Sequence, residues 1–144
     1  MAESYPLPAF HFVVDWAGTN VGFTEVTGLT YEIQAIEYRA GSSAEFFVTK
    51  MPGLQKFNNI TLKRGVFKRD NEFFIWLNTV KQSTIERRDI TIKLLDENGT
   101  PVMIWSVKQA FPVKLEGPSF KSSSNEAAIE SIELAHEGFS IAVA

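Results

Sequence analysis

Apolar residues recur at every second position in segment after segment of this chain, and that period admits little besides half-buried β-strands. In FHFVVDW, Phe10, Phe12, Val14 and Trp16 share one face, with His11, Val13 and Asp15 on the other. After the turn AGTN, VGFTEVTGL reads as the partner strand, closed by Gly28. TYEIQAIEYR sets Tyr31, Ile33 and Ala35 against Glu32, Gln34 and Ile36, and NNITLKR sets Ile60 and Leu62 against Thr61 and Lys63. In DITIKLLD, Ile90, Ile92 and Leu94 oppose Thr91 and Lys93, and the Asn-Gly of DENG is a strong turn signal before the returning strand VMIWSVKQAF. AAIESIELAHEGF is the last strand expected, with Ile129, Ser131 and Glu133 facing away from Glu130, Ile132 and Leu134.

One segment breaks the period. In DNEFFIWLNTVKQ, Phe73, Phe74, Trp76, Leu77 and Val80 recur at helical spacing, and Asp70 or Asn71 is a suitable cap in front of them. RAGSSAEFFVTKMPG and EGPSFKSSSNE read as loops, because Gly, Ser, Pro and Asn cluster there. The 144 residues are the size of one domain, and 44% hydrophobic residues with 12 Phe supply its core. The expected fold is a single mainly-β domain over 1–144, an antiparallel β-sandwich or barrel-like body with one packed α-helix. Strands with a polar face of Thr, Lys, Glu and Gln need water or a wet lumen on that side. An open sheet also leaves edge strands exposed, which a closed ring of copies would remove.

Residues that carry chemistry are scarce. There is no cysteine, hence no disulfide, thiolate nucleophile or thiolate metal site. Only His11 and His136 are present, without metal-ligand spacing, and each reads as a hydrogen-bonded or solvated histidine. No G-x-S-x-G elbow and no phosphate-cradling glycine loop occurs. No catalytic, cofactor or metal residue is therefore expected, and the protein is not read as an enzyme. MAESYPLPAF has neither a basic nor an apolar leader region, and no stretch nears the roughly 20 apolar residues that cross a bilayer.

MPGLQKFNNITLKRG poses the sharpest question. Lys63, Arg64, Lys68 and Arg69 follow one another closely, as an anion-binding patch would. Yet the formal net charge is −3, and the nearby aromatics Phe73, Phe74 and Trp76 have helical spacing that points to burial rather than base stacking. Nucleic acid is not expected as a partner. A contact with acidic residues of another subunit fits better, because complementary charges set register between partners.

The order of motifs EVTGLTYEIQAIEYRAG, MPGLQKFNNITLKRGV, FFIWLN, RRDITIKLLDENGTPVMIWSVKQAFPVKLEGP and AIESIELAHEGF resembles the tail-tube family of contractile phages and related injection systems. Within it, the chain looks most like inner-tube subunits of extracellular contractile particles, and more distantly like the ring protein of type VI secretion. The resemblance implies a structural subunit that forms hexameric rings, stacked into a rigid tube with a lumen for cargo. It implies as partners further copies of the chain, a contractile sheath, and baseplate, spike and capping proteins, with effector cargo in the lumen and no direct membrane insertion. Assembly in the bacterial cytoplasm and an extracellular place once particles are released follow from the same likeness. The family's long loop after the third strand reaches toward the next ring. Here it matches residues 39–53, with Arg39, Ser42, Glu45, Phe46, Phe47 and Lys50 as expected stacking residues. Lys63, Arg64, Lys68 and Arg69 are expected at a subunit, sheath or lumen contact. The family usually has Leu before Pro-Gly where this chain has Met51, an apolar-for-apolar change. The competing reading is a monomeric β-barrel that binds a small ligand, which requires an unfilled apolar interior.

Overall fold

A computed structural model describes residues 11–17, 22–39, 41, 49–81, 84–123 and 125–144. The elements are β1 (Phe12–Asp15), β2 (Phe23–Thr27), β3 (Tyr31–Tyr38), β4 (Thr49–Phe57), β5 (Ile60–Gly65), α1 (Glu72–Lys81), β6 (Arg88–Leu95), β7 (Pro101–Glu116), β8 (Ile129–Ala135) and β9 (Phe139–Val143). The expected mainly-β body with one helix is what forms.

Two sheets share the sixteen-residue strand β7. Its first part pairs with β6 on one side and β9 on the other, and β6 pairs in turn with β1. Its last part pairs with β8, which continues to β5 and β2. The change of sheet falls at Gln109, where φ is 53° and the register against β6 slips between Arg88 and Ile90. Asp89 holds the bulge by accepting the Gln109 N–H at 3.0 Å. A bulge of this kind bends a strand so that it can serve two sheets.

Between the sheets, the inward positions of the alternating segments meet the helix. Val14 and Trp16, Ile60 and Leu62, Ile90 and Ile92, Ile132 and Leu134 join Phe73 and Trp76 in one buried cluster. Trp16 is packed edge-on to Phe73 with centroids 5.0 Å apart, and lies 5.8 Å from Trp76. Trp76 is also tethered by its indole N–H, which donates to the Glu86 carbonyl at 2.8 Å.

Four expectations are corrected. The segment around Phe23 does not return along β1; β1 takes β6 and β2 takes β5, because alternation marks a strand without choosing its neighbour. The last expected strand is two, β8 and β9, broken by a turn at positive-φ Gly138. Lys50, Met51, Pro52 and Gly53 belong to strand β4, not to a loop. Pro52 lies opposite Ala35 beside a register shift, where a strand tolerates a missing N–H. Phe74 shares the expected apolar stripe of α1, yet it points to solvent and is 55% exposed.

Gly28 ends β2 as the sequence suggests, and its role is steric. Its φ is 92°, and a Cβ there would sit 2.1 Å from the Asn59 carbonyl oxygen. Both the left-handed backbone and the backbone clash oppose a side chain. Gly28→Ala is expected to cost about 3 kcal/mol of stability, read as a lower denaturation midpoint at unchanged slope. A midpoint equal to the parent's would refute that tight approach of the two chain segments.

Candidate functional site

The four cations of the expected contact separate. Alternation along β5 turns residues 60, 62 and 64 inward, so Arg64 enters the core beside Ile60 and Leu62 and is 1% exposed. Its Nε donates to Glu130 Oε1 and its Nη2 to Asp70 Oδ1, both at 2.9 Å. The guanidinium lies 4.0 Å from the Phe73 ring centroid and 5.3 Å from that of Trp16. Its Nη1 has no hydrogen-bond partner among the described residues. A side chain so enclosed cannot touch another subunit, and the expectation for Arg64 is corrected on that ground. The same Asp70 oxygen accepts the Glu72 N–H at 3.2 Å, which caps α1 as the sequence suggests.

The other three remain outside. Lys63 faces away from the core and pairs with Glu25 at 3.0 Å, both about half exposed. Lys68 and Arg69 form an exposed turn between β5 and α1, with Arg69 at φ 66°. Neither is in an ion pair among the described residues.

Of the expected stacking residues, Arg39 is exposed just beyond β3, and Lys50 lies on β4 opposite Glu37. Ser42, Glu45, Phe46 and Phe47 fall outside the described residues. The hairpin β3–β4 itself is the feature that sequence reasoning missed. It is a separate two-stranded sheet, and every residue of β3 is exposed. Ile36 opposes Met51, each 46% exposed, and Leu54 is 79% exposed. Two strands alone are marginal in water, so a hairpin carrying this much apolar surface calls for a cover. The signal in the sequence is weak, because, of positions 51, 53, 55 and 57, only Met51 and Phe57 are large and apolar, and Pro-Gly interrupts them.

The base of the hairpin is fixed firmly. Phe57 packs edge-on against Tyr31, Phe139 and His136, with centroids 4.6, 5.2 and 5.7 Å away. His136 Nδ1 accepts the Gly138 N–H at 3.0 Å, so its Nε2 carries the proton and donates to the Asn58 carbonyl at 2.8 Å. His11 Nδ1 likewise bonds the Asp96 carbonyl at 3.1 Å. Both histidines have the structural roles expected of them.

A third surface is the side of the β2–β5–β8–β7 sheet that faces away from the core. It presents Glu25, Thr61, Lys63, Lys114, Ser131 and Glu133, a wet face without an aromatic platform. Two edges of this sheet are unpaired among the described residues, the outer side of β2 and the outer side of the last part of β7. No helix among the described residues is long and apolar enough to cross a membrane.

A chain in the extended-state sheath–tube complex of an extracellular contractile injection system, PVC, is 37% identical, with TM-score 0.88 over 98% of this chain and 94% of that one. A chain in the tube-terminating cap of the anti-feeding prophage, AFP, is 38% identical, with TM-score 0.89 over 100% and 95%. Hcp1 from Flavobacterium johnsoniae shares the fold at 16% identity, with TM-score 0.62 over 92% and 94%. Curated protein sequences gave no match. The model of the T4-like virus tail tube protein gp19 matches residues 8–140, and this chain belongs to that family of structural tail-tube subunits.

Proposed function

We propose that copies of this chain join edge to edge into six-membered rings, and that the rings stack into the rigid inner tube of a contractile injection system. The observation that carries this reading is the β3–β4 hairpin, a two-edged sheet whose Ile33, Ile36, Met51 and Leu54 are exposed and have no cover among the described residues. The free edges of β2 and β7 offer the lateral joint, since pairing them between copies removes both liabilities at once. The subunit then has a scaffolding role without catalysis. Its further partners are a sheath, a baseplate with its spike, and a cap, with cargo in the lumen. Particles are put together in the bacterial cytoplasm and act outside the cell after release. The hairpin end with Arg39 and Lys50 reaches the next ring, and Lys63 faces the lumen. Trp16, Phe73 and Trp76 fill the centre of the described fold, which weighs against the small-ligand reading there.

Layering supports one choice of the face that lines the lumen. The β2–β5–β8–β7 sheet carries the buried cluster and helix on its core side, and no described element packs on its polar side. When such a sheet closes into a ring, the added layer takes the larger circumference, outside. On this reading the polar face is the lining. Because the chain has no cysteine, Ser131→Cys on this face and Thr91→Cys on the outer face of β6 introduce single thiols. In assembled tubes, a small maleimide is expected to label both, and a maleimide on a large polymer only Cys at 91. Equal polymer labelling of both positions overturns the lumen assignment, and failure of the parent to form rings overturns the tube itself.

A further inference from the structure

Two charged turns stand at opposite ends of β7. The turn between β6 and β7 adjoins Pro101 and carries Asp96 and Glu97. Asp96 Oδ1 accepts the N–H groups of Asn98 and Thr100, both at 2.9 Å, which fixes the loop, and Glu97 is exposed. At the other end, Glu116 of β7 is level with Ser131 of β8 and so with Lys63 of β5. Gly65 lies beyond that level, and the exposed turn with Lys68 and Arg69 follows it. The hairpin β3–β4 leaves from the Ile60 end of β5, away from the basic turn.

Two acids near the basic turn point inward, Asp70 next to it in sequence and Glu130 on β8. Asp70 and Glu130 are both bound to the buried Arg64 guanidinium at 2.9 Å, with 11% and 15% of their side chains exposed. Lys68 and Arg69 are left without a counter-ion among the described residues, on a chain whose formal net charge is −3. A copy of this chain presents the matching acids at its opposite end. An interface between unlike ends of identical subunits is heterologous, and it propagates instead of closing on itself.

We infer that the Lys68–Arg69 turn of one copy docks on the Asp96–Glu97 turn of a second copy in the next ring. This rests on the tube reading and adds to it the direction of stacking and the residues that set it. Arg64 is the positioning residue, since it draws in the carboxylates that would otherwise neutralise the turn. The occupant is a second copy and not a sheath protein, because the complementary charges are on this chain itself.

The test is a charge swap within one chain, scored by negative-stain microscopy and by the concentration at which tubes pellet. Lys68→Glu with Arg69→Glu opposes acid to acid between rings, and is expected to leave rings but raise the concentration needed for tubes about tenfold or more. Glu97→Lys with Asn98→Lys opposes base to base and has the same effect. The chain carrying all four changes has reversed both ends, and is expected to stack again within about threefold of the parent. All four side chains are exposed, so each variant keeps the parent's melting curve. Unimpaired stacking of either two-site variant, or failure of the four-site chain to recover, overturns the inference. A parent that makes no rings overturns the tube reading and the inference with it. Recovery that appears only when sheath protein is added assigns the basic turn to the sheath and also overturns it.

Discussion

Arg64→Met is expected to remove about 3–5 kcal/mol of stability, the range for breaking a buried ion pair by deleting one member. Asp70 and Glu130 are left in the interior without the guanidinium that satisfies them. The ring contacts to Phe73 and Trp16 are lost as well. The loss is read in a urea titration as a fall in midpoint. Replacing the whole set, Arg64→Met with Asp70→Asn and Glu130→Met, is expected to recover more than half of that loss. An apolar replacement of a buried ionic group is often neutral or better once no charge is left alone. Asn at 70 retains a side-chain oxygen for the Glu72 N–H, so α1 keeps its cap. If the single change costs under about 1 kcal/mol, the value of an exposed pair, Arg64 is not the interior cation that its burial makes it.

The opposite split is expected at the hairpin. Ile36→Asp with Met51→Asp places two carboxylates on adjacent strands at positions exposed in the single chain. Thermal stability of the unassembled chain is expected to stay within about 0.5 kcal/mol of the parent. Assembly, in contrast, would bury both charges without partners, and the concentration needed for rings or tubes is expected to rise about 100-fold or more. Sedimentation of parent and variant side by side measures both outcomes. Normal assembly of the variant removes the hairpin from the interface, and loss of monomer stability shows that it is packed in cis.

These two results draw on parts of the fold that were unequally legible in the sequence. Core strands were plain: Ile60 and Leu62, Ile90 and Ile92, Ile132 and Leu134 stand inside as their alternation requires. The helix was equally plain, because Phe73, Trp76 and Val80 share one stripe and Asp70 caps it. Arg64 was legible in principle, since it continues the inward parity of β5, but a charge next to Lys63 reads as surface until its partners are known. Those partners come from six residues away and from β8, and no local pattern brings them together. The hairpin was hidden for a different reason. Its Pro-Gly is a loop signal elsewhere, and here it is absorbed by a register shift in a strand whose outer edge is unpaired among the described residues.

By itself the sequence determined the chemical class of each surface: an apolar strand parity, one helical stripe, no thiol, no metal-ligand spacing and a basic segment without basic excess. Those follow from side-chain type and from the periods 2 and 3.6, which are local quantities. Only the tertiary structure decided that β1 pairs with β6, that β7 serves two sheets, that Arg64 is inside while Lys68 and Arg69 are not, and that the basic and acidic turns stand at opposite ends of β7. Each of these depends on which distant segments fill one shared volume, and many pairings are compatible with the same alternation.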